Sequence, residues 1–330
     1  MRSSDAITIS MPEKIEEAVT EYAPELKEGG NNYLPKGEKL TKMADALKMP
    51  ERQIGAKLDK RQVLVQRILG SLKFIEKVQP RLSLILHRLS CIMAYPPPEA
   101  LIVAKAALAT AYKHKEDGIT FGGTIAEDAL TGSLYADGPE LESERIDQRV
   151  DTVTKANVDL NGSAGHRLEA HADATWGDRN ILALVLTFAG GAILHQTKKL
   201  ALICDSSMET EAIASSKGGE AIAYAREIMR AFGEDISEPT TLTTDNLSHQ
   251  RIGSGFGAPT RSKPFLRRYY ALKQRIEGGE VSLKHCPDAS MPADFLTKWL
   301  GMPKVNKSIR YCTNARNAVR PESATNGAHS

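Results

Sequence analysis

The chain is poor in aromatic residues, cysteine and long apolar runs, and each shortage narrows what it can be. Only 5% of its 330 residues are Phe, Trp or Tyr, against 41% hydrophobic residues in all. Its core must therefore be aliphatic and rich in alanine. The cysteines, Cys91, Cys204, Cys286 and Cys312, are scattered and form no C-x-x-C pair. That argues against a zinc site and for reduced thiols. The longest apolar stretch, Ile181 to Ile193, is interrupted by Gly190-Gly191, and Met1 to Asp5 leads into no apolar signal core. Neither fits a membrane span or a secretory leader. The expectation is a soluble intracellular protein, cytoplasmic or nuclear, that engages no membrane. Neither sign of charge is in excess: 43 basic and 41 acidic residues leave a formal net charge of +2. Only local clustering can then signal a polyanionic partner.

What is present divides the chain into segments, about two domains by length alone. Residues 1–60 are mixed, with a short strand at Ile7-Thr8-Ile9 and a helix opened by Pro12. Residues 61–123 carry apolar residues at helical spacing: Val65, Ile68, Leu69, Leu72 and Ile75, then Leu82, Ile85, Leu86 and Leu89 after Pro80. Pro96-Pro97-Pro98 ends that run and Ala100 to Tyr112 reads as a third helix, which makes a small helical subdomain. Residues 124–165 turn polar and acidic, as in a linker or insertion. Residues 166–301 switch to an α/β pattern: strands at 167–174, 181–188 and 192–204, a helix at 208–232, a strand at 240–244, a helix at 263–277, a strand at 281–286 and a helix at 292–300. Residues 302–330 are polar, show no periodicity and read as a disordered tail.

The chemistry of this chain rests on carboxylates. Asp173 sits in His-Ala-Asp-Ala-Thr-Trp, Glu211 in Met-Glu-Thr-Glu-Ala, Asp245 in Thr-Thr-Asp-Asn and Asp294 in Pro-Ala-Asp-Phe-Leu-Thr-Lys. Each has an ordinary reading: an exposed strand acid, a first-turn partner of a helix dipole, or an Asx turn. The capping pattern Ser206-Ser207-Met208-Glu209 uses Glu209 and leaves Glu211 free. A strand acid, a helix-start acid, a strand-end acid and a helix acid, in that order, could converge on one point in an α/β domain, and a two-cation phosphodiester hydrolase needs about this many carboxylates. Its ions sit ~3.5–4 Å apart among hard oxygen ligands. The same order disfavours a transposase or integrase site, which wants two Asp and then a Glu.

Residues 167–301 resemble the ribonuclease H domain of Ty1/copia-type retrotransposon Pol polyproteins. The resemblance is carried by Asp173-Ala174-Thr175-Trp176, Gly190-Gly191-Ala192-Ile193 with Lys198-Lys199, Ser206 to Ala214, Thr244-Asp245-Asn246, Arg261-Ser262-Lys263, Glu277-Gly278-Gly279-Glu280 and Ala293 to Lys298. Upstream, Ile68 to Leu72, Gln79-Pro80-Arg81, His87 to Ser90 and Asp117 to Gly123 look like the connection after the polymerase, and Ile7 to Val19 like the end of the polymerase itself. The resemblance implies a ribonuclease H-like fold, a mixed five-stranded sheet flanked by helices, preceded by the helical connection and a reverse transcriptase remnant over residues 1–60. It implies cleavage of the RNA strand of RNA–DNA hybrids with two Mg²⁺ ions, Mn²⁺ substituting. Asp173 would bridge the ions, Glu211 and Asp245 hold the leaving-group side, and Asp294 the nucleophile side. A reverse transcriptase chain is an implied partner.

The departures from the family carry a second reading. No Tyr-x-Asp-Asp and no Asp-Asp pair occurs, so the polymerase palm is missing and no primer extension is expected. The 124–165 stretch is long, the loop from Trp176 to Ile181 is short, and Gly218-Gly219 interrupts the main helix, where Gly costs roughly 1 kcal/mol relative to Ala. These features fit a catalytically inactive remnant that binds nucleic acid or a partner polymerase. In either reading the phosphate contacts expected are Lys198, Lys199, Arg261, Lys263, Arg267 and Arg268, with Asn246 beside the backbone. His285 reads as a strand residue or a proton shuttle, and Trp176 and Trp299 as packing residues.

Overall fold

The computed structural model of the chain describes residues 6–30, 33–51, 57–123, 168–177, 180–200, 204, 206–245 and 263–315. The expected linker at 124–165, the expected contacts Asn246 and Arg261, the side chain of Lys263 and the part of the expected tail beyond residue 315 lie outside the described residues.

The first half is helical. Its elements are β1 (Ala6–Ile9), α1 (Pro12–Tyr22), α2 (Gly37–Ala46), α3 (Lys60–Ile75), α4 (Ser83–Cys91), α5 (Ala100–Lys113) and β2 (Ile119–Gly122). Proline supplies the punctuation, at the first turn of α1 and between the later helices. At α3 a capping box sharpens the start: Gln62 N donates to Asp59 Oδ1 at 2.7 Å and Asp59 N to Gln62 Oε1 at 3.0 Å. Ile15, Val19, Leu40, Leu72, Leu86, Leu89 and Leu108 belong to one apolar core. Elements on either side of residue 60 share this core, since α1 packs on both α3 and α5. β1 pairs antiparallel with β2, Ala6 opposite Gly122, so the unit closes on itself.

The second half is an α/β layer. Its strands are β3 (Leu168–Thr175), β4 (Ile181–Phe188), β5 (Gly191–Lys199), β6 (Thr240–Thr244) and β7 (Val281–His285), in the spatial order β5-β4-β3-β6-β7. β3, β4 and β5 form an antiparallel meander, whereas β3, β6 and β7 run parallel. Helix α6 (Ser207–Ala231) crosses from β5 to β6, and α7 (Lys263–Glu277) from β6 to β7. Parallel neighbours need such crossovers. α6 packs on the face of β3 that carries Leu168, Ala170 and Ala172, and α7 packs on α6 and β7 in the same apolar cluster.

Gly218 and Gly219 do not break α6, which runs through them. A Cβ at Gly218 would lie 2.8 Å from Leu242 Cδ1, and one at Gly219 3.0 Å from Leu272 Cδ1. The pair lets α6 lie close to β6 and α7, so the expected interruption is a packing device.

Two expectations at the C-terminal side are corrected. No helix forms over 292–300; the chain makes a short 3₁₀ turn at Asp294–Leu296. Thr197 Oγ1 captures the Leu296 carbonyl at 2.8 Å, and Gly301, at φ 82°, redirects the backbone. Nor is 302–330 all tail: α8 (Met302–Thr313) forms, with Pro303 in its first turn. Val305, Ile309 and Cys312 face the opposite side of the sheet from α6, with Ala183, Val185 and Phe295. Asn314, in the left-handed region at φ 48°, ends the helix, and its Nδ2 donates to the carbonyls of Thr120 and Gly122 at 3.2 and 3.1 Å.

The halves also meet through His195 on β5. Its Nε2 faces the Lys77 carbonyl at 3.4 Å and its Nδ1 lies 3.0 Å from Ser83 Oγ. The carbonyl requires a proton on Nε2, so the Ser83 hydroxyl donates to Nδ1. Burial lowers the His195 pKa.

Candidate metal centre

The five-stranded sheet brings the expected acids together. Asp173 projects from the central strand β3, opposite Ala183, and is 1% exposed. Glu211 enters from the start of α6, where Ser206 Oγ accepts the Glu209 N–H at 3.3 Å, and is also buried. Asp245 follows β6 directly, and Asp294 opens the 3₁₀ turn with no exposed surface. Oxygens of Asp173, Glu211 and Asp245 lie within 4.8 Å of one another, and so do oxygens of Asp245, Asp288 and Asp294. Asp245 is thus common to both groups, although the bridging role was expected of Asp173. Asp288 was not anticipated. Pro287-Asp288 reads as an ordinary exposed turn, and only its distance of six positions from Asp294 hinted otherwise.

Neighbouring groups hold these carboxylates. Thr297 Oγ1 donates to Asp173 Oδ2 at 2.6 Å. His285, at the end of β7, has Nε2 3.1 Å from the Asp245 carbonyl and so fixes that turn. This gives His285 a positioning contact; the structure does not place it as a proton shuttle. Lys298 Nζ lies 3.3 Å from both Asp294 Oδ1 and Asp288 Oδ1, and Lys304 of α8 bonds Asp294 Oδ2. On the same face of β3 as Asp173, His171 bonds Thr243 Oγ1 through Nδ1 and Tyr311 Oη at 2.6 Å through Nε2. Tyr311 Oη lies 3.2 Å from Glu169 Oε2. This chain of contacts pins α8 to β3. Burial drives the His171 pKa down to about 4.

Electrostatics marks the cluster as short of positive charge on one side. Burial, then the charge of Asp294, pushes Asp173 up to about 8. Burial, then Asp173 and Asp245, pushes Glu211 up to about 9, and Asp245 is raised by burial and by Asp294. Glu211 Oε2 is buried with no hydrogen-bond partner. A donor set made only of carboxylate oxygens, with Glu211 Oε2 and Asp294 Oδ1 both buried and without a hydrogen bond, fits a hard divalent cation such as Mg²⁺ or Mn²⁺. A cation would reverse the penalty that burial and like charge impose.

The described members of the expected phosphate contacts are Lys198, Lys199, Arg267 and Arg268. Lys198 and Lys199 are exposed at the end of β5. On α7, Arg267 is exposed and Arg268 half-buried, while Lys273 and Arg275 pair with Glu277 and Glu280 at 3.6 and 2.7 Å. Tyr269 is buried and Tyr270 half-exposed. Trp299 packs against Gly37, whereas Trp176 is 56% exposed and only its Nε1 is engaged, donating to the Cys204 carbonyl at 2.9 Å. The packing role expected for Trp176 is corrected accordingly, because more than half of this residue is open to solvent. Among the described residues, no helix is long and apolar enough to cross a membrane.

No protein-family model matches the chain, and no curated protein matches its sequence. Solved structures do match. Ribonuclease H1 of the halophilic archaeon Halobacterium salinarum is 20% identical, with a TM-score of 0.31, over 39% of this chain and 93% of that one. The N-terminal ribonuclease H domain of a Mycobacterium tuberculosis protein, solved fused to maltose binding protein, is 12% identical, with a TM-score of 0.32, over 46% and 99%. LC11 ribonuclease H1, solved with an RNA/DNA hybrid, is 13% identical, with a TM-score of 0.31, over 39% and 93%. At these values the likeness carries no functional weight.

Proposed function

We propose that the α/β half is a ribonuclease H-like nuclease that uses divalent cations to cleave the RNA strand of RNA–DNA hybrids. The observation that carries this reading is the meeting of Asp173, Glu211 and Asp245 within 4.8 Å, with Glu211 Oε2 buried and unpartnered. Asp173, Glu211 and Asp245 would hold one ion, and Asp245, Asp294 and Asp288 a second. When bound, such ions supply Lewis acidity, easing deprotonation of water and stabilising a leaving oxygen. The chain itself contributes placement. Thr297 orients Asp173, and His285 fixes the turn of Asp245. The bond broken is the P–O3′ bond: the water oxygen joins phosphorus and the 3′ oxygen leaves with a proton. Selection of RNA would come from the 2′-hydroxyl and the A-like shape of the hybrid. Lys198, Lys199, Arg267 and Arg268 are the described candidates for its phosphates, with Arg261 and Lys263 shortly before Arg267 in sequence and Asn246 next to Asp245.

The motifs of the chain further suggest a copia-type retroelement origin, with a reverse transcriptase chain as a partner and an intracellular setting. The test is a cleavage assay on a labelled hybrid with Mg²⁺, with Glu211→Gln as control. Ribonucleotide-specific cleavage lost in the variant supports the reading; no cleavage by the folded wild type sinks it. One observation favours the alternative, a non-catalytic remnant that binds nucleic acid or a polymerase: Lys298 and Lys304 already cover Asp294 and Asp288. Hybrid binding without cleavage at any divalent-ion concentration would establish it.

A further inference from the structure

Positive charge is distributed unevenly over the acidic cluster. The Asp173–Glu211–Asp245 side has a hydroxyl on Asp173 and an orphaned oxygen on Glu211. The other side has two ammonium groups, and its own buried oxygen without a hydrogen bond, Asp294 Oδ1, has Lys298 Nζ at 3.3 Å. Lys304 Nζ bonds Asp294 Oδ2 and the Asp288 carbonyl, and lies 3.6 Å from Asp288 Oδ2. Lys298 Nζ lies 3.3 Å from Asp294 Oδ1 and Asp288 Oδ1. The two lysines differ in freedom: the Lys298 side chain is 41% exposed, that of Lys304 only 19%. Lys304 is also delivered by a fixed element, because α8 is tied to β3 through Tyr311 and to β2 through Asn314.

We propose that Lys304, backed by Lys298, is a built-in cation on the Asp294–Asp288 side, so that the free chain binds one divalent ion tightly and admits a second only in exchange for the Lys304 ammonium. The inference rests on the metal-binding reading above and refines it. The ammonium occupies the oxygen a second ion would use, and two like charges at one carboxylate exclude each other. Asp294 is fully buried, so it needs a compensating cation at all times. A nucleic-acid phosphate entering the site offers Lys304 another anion, and so couples arrival of substrate to arrival of the second ion.

The experiment is a Mn²⁺ titration of the full chain without nucleic acid, free Mn²⁺ being followed by electron paramagnetic resonance with Mg²⁺ as competitor. The wild type is expected to take up one tight ion, lost in Asp245→Asn. Lys304→Met should take up two, the second tightened at least tenfold, while Lys304→Arg should remain at one. Two tight ions in the wild type, or one in a folded Lys304→Met, overturn the inference and leave the metal reading standing. No tight ion in the wild type overturns the metal reading itself. A measurement that needs no variant is the rate of reductive methylation of Lys304 in the wild type, read by mass spectrometry. That rate should rise as Mn²⁺ passes from one to two equivalents, and a flat rate overturns the proposal.

Discussion

The helical half and the sheet half are built on opposite principles. Ile15, Ile68, Leu69, Leu72, Ile75, Leu82, Leu86, Leu89 and Leu108 are large, fully buried side chains of the helical half; the sheet half contributes Ile181, Leu182 and Ile213. Among the described residues the buried carboxylates, Asp173, Glu211 and Asp294, all belong to the sheet half. One half spends its interior on apolar packing and gains stability. The other adds buried carboxylates to its apolar clusters, and at Asp173 and Glu211 burial opposes the charged form until a cation arrives. The lesson is that stability and chemistry are partitioned between the halves, and that the partition can be tested by mutating one side at a time.

The largest effect is expected at Glu211. Glu211→Gln should reduce hybrid cleavage by more than about a hundredfold, since even supporting contacts of metal ligands are worth ~10–100-fold. In metal-free buffer it should stabilise the fold. The folded-state pKa of Glu211 is raised from 4.5 to about 9. Its contribution is therefore fully present below about pH 4.5 and lost as pH climbs through about 9. The wild-type melting temperature should fall over that window and the variant's less, a gap on the order of a few kcal/mol at pH 8 that Mg²⁺ closes. Equal melting curves at pH 8 would remove the charge argument. Next is Leu72→Ala in the helical core, expected to cost about 2–5 kcal/mol. Its Mn²⁺ affinity should be unchanged, and a weakened ion site would show that the halves share more than a surface.

How much of this was legible in the sequence depends on the length of the pattern. The helices α3 to α5 announce themselves through repeated apolar spacing between prolines, and β3, β6 and β7 through short runs ended by acids or glycine. Asp173, Glu211 and Asp245 could be placed because strand ends and a helix start are local features. α8 was missed because its apolar side, Val305, Ile309 and Cys312, is thin among Lys, Asn, Ser and Arg. Pro303 and the spacing of those three residues were the available signal. α2 and β2 were missed for the same shortness of pattern. Asp288 and Lys304 were invisible because their partners are set by tertiary packing; Lys304 and Asp294 are ten positions apart on different elements.

Smaller effects sharpen the comparison at the seam. Ser83→Ala leaves the half-buried His195 Nδ1 without its donor, a cost of about 1 kcal/mol. Urea melts read by circular dichroism and by tryptophan fluorescence should then lose coincidence as the halves uncouple. Melts that still superimpose would show that other contacts carry the seam. The smallest change is on α7: Arg267→Ala with Arg268→Ala should leave stability alone and lower the salt slope of hybrid binding by about 0.7–0.9 per lost phosphate contact. An unaltered slope in the folded variant would return this helix face to plain solvation and move the search to Lys198 and Lys199.

The late position of α8 has a consequence for the order of synthesis. The chain emerges N-terminus first, at roughly 5–20 residues per second. Asp173 and His171 are made more than a hundred positions before Tyr311, and Asp294 before the lysine that neutralises it. Until residue 304 clears the ribosome, the nascent sheet carries acids with only Lys298 beside them. Free cellular magnesium, or a partner's basic surface, is then the readiest counter-charge. The last described helix is in this sense an internal chaperone: it arrives after the sheet is written and closes a site that would otherwise resist collapse.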